Sequence, residues 1–362
     1  MLRRYLETLQ ELDRAECAVA LTPGGDPRAA WSYIHRQIDL LDGQGGVWET
    51  YAGRKASLVF SIISSRDQTK QIYRVLVPAG RQPAAGYPLI VYLHGAGAPE
   101  SMRFAWRGFI SPPAAQVVDA QGVAPIIVEP WTRGNAGVGH EGGTDVLDII
   151  KDIGSVFPVD PDRVLLSGHS MGGQGVWMLG LYDPGRWAAI APLSAAGDLG
   201  PLENLTGLPV RAWHGDGDVK VQPGGSIRMI ENAKRLGLEA ELIIGKGIGH
   251  SLPDAVQAEI FGWLLTQVRK RPNPIIFNAV GDYRQRNGIT IKSVPETKQW
   301  PRFVCSIKDA TVDIQSTGAT GLDIDLGPAG LGYPNSASVT VKWNGKEVYQ
   351  GMPKVVSASA DQ

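Results

Sequence analysis

Three rhythms of apolar and polar residues follow one another along this chain. The first is helical. Leu2, Leu6, Leu9 and Leu12 recur at helical spacing with charged residues between them. Pro23-Gly24-Gly25 interrupts the run, and Asp26-Pro27 offers an N-cap followed by proline at the first helical position. Trp31, Ile34, Ile38 and Leu41 then mark the apolar stripe of a second helix, one that covers a fold rather than carries chemistry.

The second rhythm begins near Val47. Residues 58–63 and 71–78 read as strands joined by the polar turn Ser65-Arg66-Asp67-Gln68. Short, unbroken apolar runs then alternate with helical stretches. The runs are 89–93, 124–128, 164–166, 188–191, 210–213 and 241–244, and the helices are predicted over 145–156, 172–182, 226–236 and 254–270. Such alternation predicts a mostly parallel sheet covered by helices on both faces. Right-handed crossovers bring the carboxyl ends of its strands, and the loops that follow them, to one edge.

The third rhythm is strict alternation. It starts after Arg271-Pro272-Asn273-Pro274, where closely spaced prolines mark a boundary. Residues 288–292, 302–307, 311–314, 321–326 and 338–343 alternate apolar with polar, and Asn344-Gly345 is a hairpin turn between Trp343 and Lys346-Glu347-Val348-Tyr349. The expected organisation is therefore a helical segment over 1–45, an α/β domain over 46–271 and a small antiparallel β domain over 272–362.

Composition narrows the function classes. Of 362 residues, 43% are hydrophobic and 20% charged, which suits a globular protein. A formal net charge of −1 supplies no field that would draw nucleic acid or an anionic membrane. No apolar run reaches the length of a membrane span. The opening Met1-Leu2-Arg3-Arg4 is too charged for a signal-peptide core, so a secreted or periplasmic location would require a leader removed from this chain. Cys17 and Cys305 make neither a disulfide framework nor a C-x-x-C metal pattern. Free thiols are expected, a single long-range bridge being the alternative.

The candidate chemistry lies in Gly168-His169-Ser170-Met171-Gly172, between the apolar run 164–166 and a helical stretch. Strand, G-x-S-x-G and helix together form a nucleophile elbow, a turn that lifts a serine hydroxyl to the top of a sheet. A serine hydroxyl needs a base to take its proton. With the chain order serine, acid, histidine, only His214 and His250 follow Ser170. His250 is the candidate base, because it lies in a glycine-rich loop after the last predicted α/β strand and can fold back over the elbow. Asp216 and Asp218 follow the strand between, and Asp218, the further from the strand, is preferred. Asp216 is then a loop-shaping residue. Backbone N–H groups of Met171 and of Ala96, in the loop His94-Gly95-Ala96-Gly97, are the candidate oxyanion donors, with Gly97 next. His94 is expected to hold that loop. Gly97, Trp131 and His169 are candidate substrate contacts, with ordinary packing the equal alternative for Trp131 and a place packed under the pocket for His169, while Arg133 and Asn135 either bind a polar group or brace their loop. No metal or organic cofactor is required.

Tyr92-Leu93-His94-Gly95-Ala96-Gly97, Asp160-Pro161-Asp162-Arg163-Val164, the elbow, His214-Gly215-Asp216-Gly217-Asp218 and Gly249-His250 together resemble an α/β-hydrolase. The branch resembled holds dienelactone hydrolases, prolyl-oligopeptidase-like serine hydrolases and polyhydroxybutyrate-depolymerase-like carboxylesterases. The resemblance covers roughly residues 57–270 and implies a serine carboxylesterase with a small-molecule ester substrate. A serine peptidase acting on short peptides and a non-catalytic binding module are the alternatives. The chain lacks propeller repeats, which favours the esterase. The leading helices do not fit the family pattern. Trp300, Tyr333 and Trp343 leave open a carbohydrate-binding or self-association role for the β-rich tail.

Overall fold

The computed structural model describes residues 54–80, 82–97, 108–197, 200–293 and 300–359. The two helices expected within 1–45, and Cys17, lie outside the described residues. The main sheet has eight strands: β1 (Ala56–Ile63), β2 (Lys70–Val77), β3 (Tyr87–Leu93), β4 (Ile126–Pro130), β5 (Val159–His169), β6 (Ala189–Leu193), β7 (Val210–Gly215) and β8 (Ala240–Gly245). Their order is β1-β2-β4-β3-β5-β6-β7-β8. β1, β2 and β4 pair antiparallel, and every pair from β4 onward is parallel. Helices α1 (His140–Val156), α2 (Met171–Tyr182), α3 (Gly224–Arg235) and α4 (Asp254–Leu265) cover it.

The unbroken apolar runs have a direct cause. β3, β4 and β6 are buried at every residue, as parallel strands with both faces covered must be. Successive side chains of β3 serve opposite faces. Leu89, Val91 and Leu93 join Val146, Val176, Trp177 and Met229 in one core, while Ile90 and Tyr92 join Phe261 and Leu264 beneath α4 in another. α4 stops short of its predicted end at Lys270. Thr266 and Gln267 close tight i→i−3 bonds to Trp263 and Leu264, and Arg269 turns away to donate to the Asp162 carboxylate at 2.6 and 2.9 Å.

From Ile275 the strands gather into two further sheets. One has the order β16-β15-β13-β12-β9 and the other β10-β11-β14-β17. Their strands are β9 (Ile275–Asn278), β10 (Gln285–Arg286), β11 (Ile289–Ser293), β12 (Arg302–Lys308), β13 (Thr311–Thr317), β14 (Gly321–Asp325), β15 (Val339–Trp343), β16 (Lys346–Gly351) and β17 (Val355–Ser359). They share a core that includes Phe277, Phe303, Ile314, Leu322, Val341 and the free, buried thiol of Cys305. Pairing is antiparallel except between β13 and β15, because the chain crosses to the other sheet through β14 before it returns. Trp343 packs into this core and donates its indole N–H to Ser316 Oγ at 2.8 Å, so it presents no stacking face. Tyr333 also packs against the core, and Trp300 is exposed.

A buried cation ties this unit to the main sheet. Arg286 is 2% exposed. Its guanidinium donates to the carbonyl oxygens of Asn204 at 2.8 Å and Thr206 at 2.5 Å, and to that of Ile276. Burial lowers its pKa to about 10, which leaves it charged at neutral pH. The Asn204 side chain adds bonds to Leu181 and Asn278.

Candidate active site

Ser170 sits between β5 and α2 at φ 58°, ψ −118°, a conformation that L-residues rarely adopt. The turn can be this tight because its flanking residues lack side chains. A Cβ on Gly168 would stand 2.7 Å from the Leu93 carbonyl oxygen, and one on Gly172 only 2.0 Å away. The Ser170 N–H donates to Leu193 O at 2.9 Å, which fixes the turn to β6.

Loops after β7 and β8 meet the serine. Ser170 Oγ donates to His250 Nε2 at 2.8 Å, and His250 Nδ1 donates to Asp218 Oδ2 at 2.7 Å. Asp218 is 3% exposed. Its other oxygen accepts the N–H groups of Lys220 and Val221, each at 2.9 Å. Burial alone would raise this carboxyl, but the bonds from His250 and the two backbone donors outweigh it and hold the group below its ordinary pKa. His214, fully buried, sits behind with Nε2 3.3 Å from Asp218 Oδ2 and Nδ1 2.7 Å from Ser226 Oγ. Asp216 accepts the Gly247 N–H at 2.7 Å and so shapes the loop that carries His250.

His169 donates from Nε2 to the His250 carbonyl at 2.8 Å. Burial, and then the neighbouring His250, lower its pKa to about 4, so at neutral pH it braces the His250 loop as an uncharged ring.

The loop after β3 passes beside the serine: a Cβ on Gly95 would lie 3.3 Å from Ser170 Cβ. His94 holds this loop. Its ring bridges the carbonyl oxygens of Gly95 and Trp131, both at 2.7 Å, and stacks on Phe109. Ala96 is exposed, and Met171 opens α2, where N–H groups lack intrahelical acceptors. The Gly97 N–H is engaged, donating to Asn135 Oδ1 at 2.7 Å. Thus Asn135 braces one loop against another.

The loop that carries Asn135 is itself strained and pinned. Thr132, Arg133 and Gly134 have φ of 45°, 58° and 65°. Arg133 donates to Asp145 at the start of α1 and to Asp67 in the β1–β2 turn, each at 2.6 Å. Its guanidinium beside Asp67 holds that carboxyl well below the usual range. The Trp131 side chain turns to Ile72 and Val59 and is not among the described lining residues of two cavities that flank the serine. These cavities are about 390 Å³ on the Met171 side and about 360 Å³ on the His169 side.

No family model matches this sequence. Among solved structures, a thermostable esterase is 21% identical with a TM-score of 0.50, the match covering 59% of this chain and 63% of that protein. The chain thus spans less than two thirds of that esterase's length. A ferulic acid esterase is 18% identical, with 59% of this chain and 98% of the other covered and a TM-score of 0.49. An S-formylglutathione hydrolase from Staphylococcus aureus is 15% identical, with 59% and 98% covered and a TM-score of 0.47. Such identities speak to the fold alone. By its strand order, its elbow and the likeness to the thermostable esterase, the chain has the α/β-hydrolase fold.

Proposed function

We propose that this protein is a serine carboxylesterase working through an acyl-enzyme. The observation that carries the reading is the continuous hydrogen-bonded run from Ser170 through His250 to Asp218. As Ser170 Oγ bonds to the ester carbonyl carbon, its proton passes to His250 Nε2 and the carbonyl π pair moves onto oxygen. The N–H groups of Ala96 and Met171 receive that oxyanion. Asp218, held ionised, stabilises the imidazolium. The oxyanion collapses, the C–O bond to the alcohol breaks, and the leaving oxygen takes the proton from Nε2. Water then repeats the sequence on the acyl-enzyme: it gives a proton to His250, which returns it to Ser170 Oγ as the acid departs. An uncharged His169 beside His250 adds no repulsion when the imidazolium forms.

The test compares wild type with Ser170→Ala on chromogenic esters and matched peptide anilides. Wild type should turn over esters, with kcat/KM reduced by roughly a thousandfold or more in the variant. Anilide cleavage at comparable efficiency would move the reading to a peptidase. A folded wild type that neither hydrolyses esters nor is labelled at Ser170 by a fluorophosphonate would overturn it.

A further inference from the structure

Residues 108–111 form an irregular segment that shares a cavity wall with Gly95, beside the serine, and His169, beside His250. Two buried polar side chains hold this segment. Glu129, on β4, is fully buried. Its Oε1 accepts the Phe109 N–H at 2.5 Å, with the Ile110 N–H beside it. Its Oε2 accepts from Arg74 Nη1, on β2, at 2.9 Å. Gln257, on α4, is 3% exposed. Its Oε1 accepts the Ser111 N–H at 2.7 Å, and its amide donates to Phe109 O at 3.0 Å. Gly108 crosses directly over the Arg74 guanidinium, where a Cβ would stand 1.2 Å from Nη1. A surface loop can leave its backbone groups to water. Turning them onto buried side chains fixes the segment in one place.

The fixed segment delivers one ring. Phe109 stacks on His94, with centroids 5.2 Å apart and planes 22° from parallel. His94 Nδ1 in turn lies 2.7 Å from Gly95 O. That oxygen and the Ala96 nitrogen belong to one peptide unit. The unit is planar and its C=O and N–H point opposite ways, so a ring that holds Gly95 O also sets the direction of the Ala96 N–H.

We infer that Glu129 is a positioning residue for the oxyanion site. Its two oxygens place Phe109, the Phe109 ring places His94, and His94 orients the peptide that carries the Ala96 donor. The inference rests on the serine-esterase reading and deepens it, tracing one oxyanion donor back to a buried carboxylate on another strand. Burial raises the pKa of Glu129, yet Arg74, Phe109 and Ile110 all face it as donors, which suits the ionised form. An amide does not suit the place. In Glu129→Gln the new NH2 would stand against either the Arg74 guanidinium or the Phe109 N–H.

The experiment compares wild type, Glu129→Gln, Phe109→Leu and the double variant, below the melting range of each. It reads kcat and KM on a chromogenic ester and the affinity for a boronic-acid transition-state analogue. Glu129→Gln should lower kcat roughly tenfold with KM within about twofold, and analogue affinity should fall in parallel. Phe109→Leu keeps apolar bulk but loses the flat face on His94, and should show the same pattern. The double variant should fall no further than the more affected single one, because both act along one chain of contacts. Phe109 is 36% exposed, so its variant decides alone if Glu129→Gln does not fold. An unchanged kcat with a lowered thermal midpoint, a rise in KM alone, or losses that multiply in the double variant would each overturn the inference and leave the esterase standing. A wild type with neither ester turnover nor fluorophosphonate labelling of Ser170 would instead remove the underlying reading, and this inference with it.

Discussion

The main sheet and the C-terminal β unit place strained backbone differently. In the β unit the described non-glycine residues with positive φ are Asn287, Asp309 and Asn344. Each lies in a tight turn between consecutive strands, and each is of a type that enters this conformation at low cost. In the α/β half they are Gln68, Thr132, Arg133, Ser170 and Ser194. All but Gln68 follow directly on the carboxyl ends of β4, β5 and β6. A branched or bulky residue in this region costs about 1–3 kcal/mol and persists only when its surroundings over-determine it. Here Arg133 is pinned by carboxylates, and Ser170 by Leu193 and by the crowding at Gly168 and Gly172. One region uses ordinary turn chemistry to stay folded. The other concentrates unusual geometry at a single edge, where the proposed nucleophile, base and acid meet.

That contrast would lose its force if the β unit were a passive appendage, and Arg286 provides the strongest way to break it. Arg286→Leu leaves the carbonyl oxygens of Asn204, Thr206 and Ile276 without their donor in a buried joint. The expected loss is about 3 kcal/mol or more. Because those carbonyls belong to both regions, a denaturant titration should show the two regions unfolding together at a lower midpoint. A variant in which the α/β transition stays put while the β unit melts separately would show that the joint does not couple them.

How much of this was legible in the sequence follows from the range of each interaction. Buried parallel strands need unbroken apolar runs, so β3, β4 and β6 stood out. Ser170, Asp218 and His250 were legible because each sits in a short local motif after a predicted strand. β5 was recognised only from Val164, since its first residues, Val159-Asp160-Pro161-Asp162-Arg163, are mostly polar. β17 was missed because Ser357, Ala358 and Ser359 give a weak alternation. β9 follows directly on the prolines read as a boundary. Trp131, from its position after a strand, could form a pocket wall or simply pack. Its side chain packs on Ile72, because β2 runs antiparallel beside β4 and the Trp131 N–H bonds to Ile72 O. The Asn135–Gly97 bond joins loops after two different strands, and no local pattern announces such a contact.

Asn135 gives a smaller and more selective test. Removing a direct oxyanion donor costs a hundredfold or more, whereas loosening the loop proposed to present one should cost less, about tenfold or 1.4 kcal/mol. Asn135 is exposed, so Asn135→Ala should leave the thermal midpoint nearly unchanged. The fall should appear in kcat with little change in KM, and the affinity for a boronic-acid transition-state analogue should drop in parallel. A rise in KM alone would assign Asn135 to substrate contact instead, the other role its position allowed.

The smallest expected effect bears most directly on where strain is placed. Ser170→Gly removes the side chain from a conformation only glycine adopts freely, so the fold should gain from relief of strain and lose part of that gain through glycine's larger unfolded-state entropy. The net expectation is a stabilisation of about 1 kcal/mol, seen as a raised denaturation midpoint in a protein with no ester turnover. Asn344→Gly is the matched control at φ 49° in the β unit. Asn344 already tolerates its turn, and its side chain accepts the Ser316 N–H at 2.8 Å, so glycine there relieves little and loses a hydrogen bond. That variant should be destabilised by about 0.5–1 kcal/mol. Opposite signs for the two substitutions are what the contrast requires. Equal signs would mean that the elbow carries no more strain than an ordinary hairpin turn, and that its geometry is set by glycine packing alone.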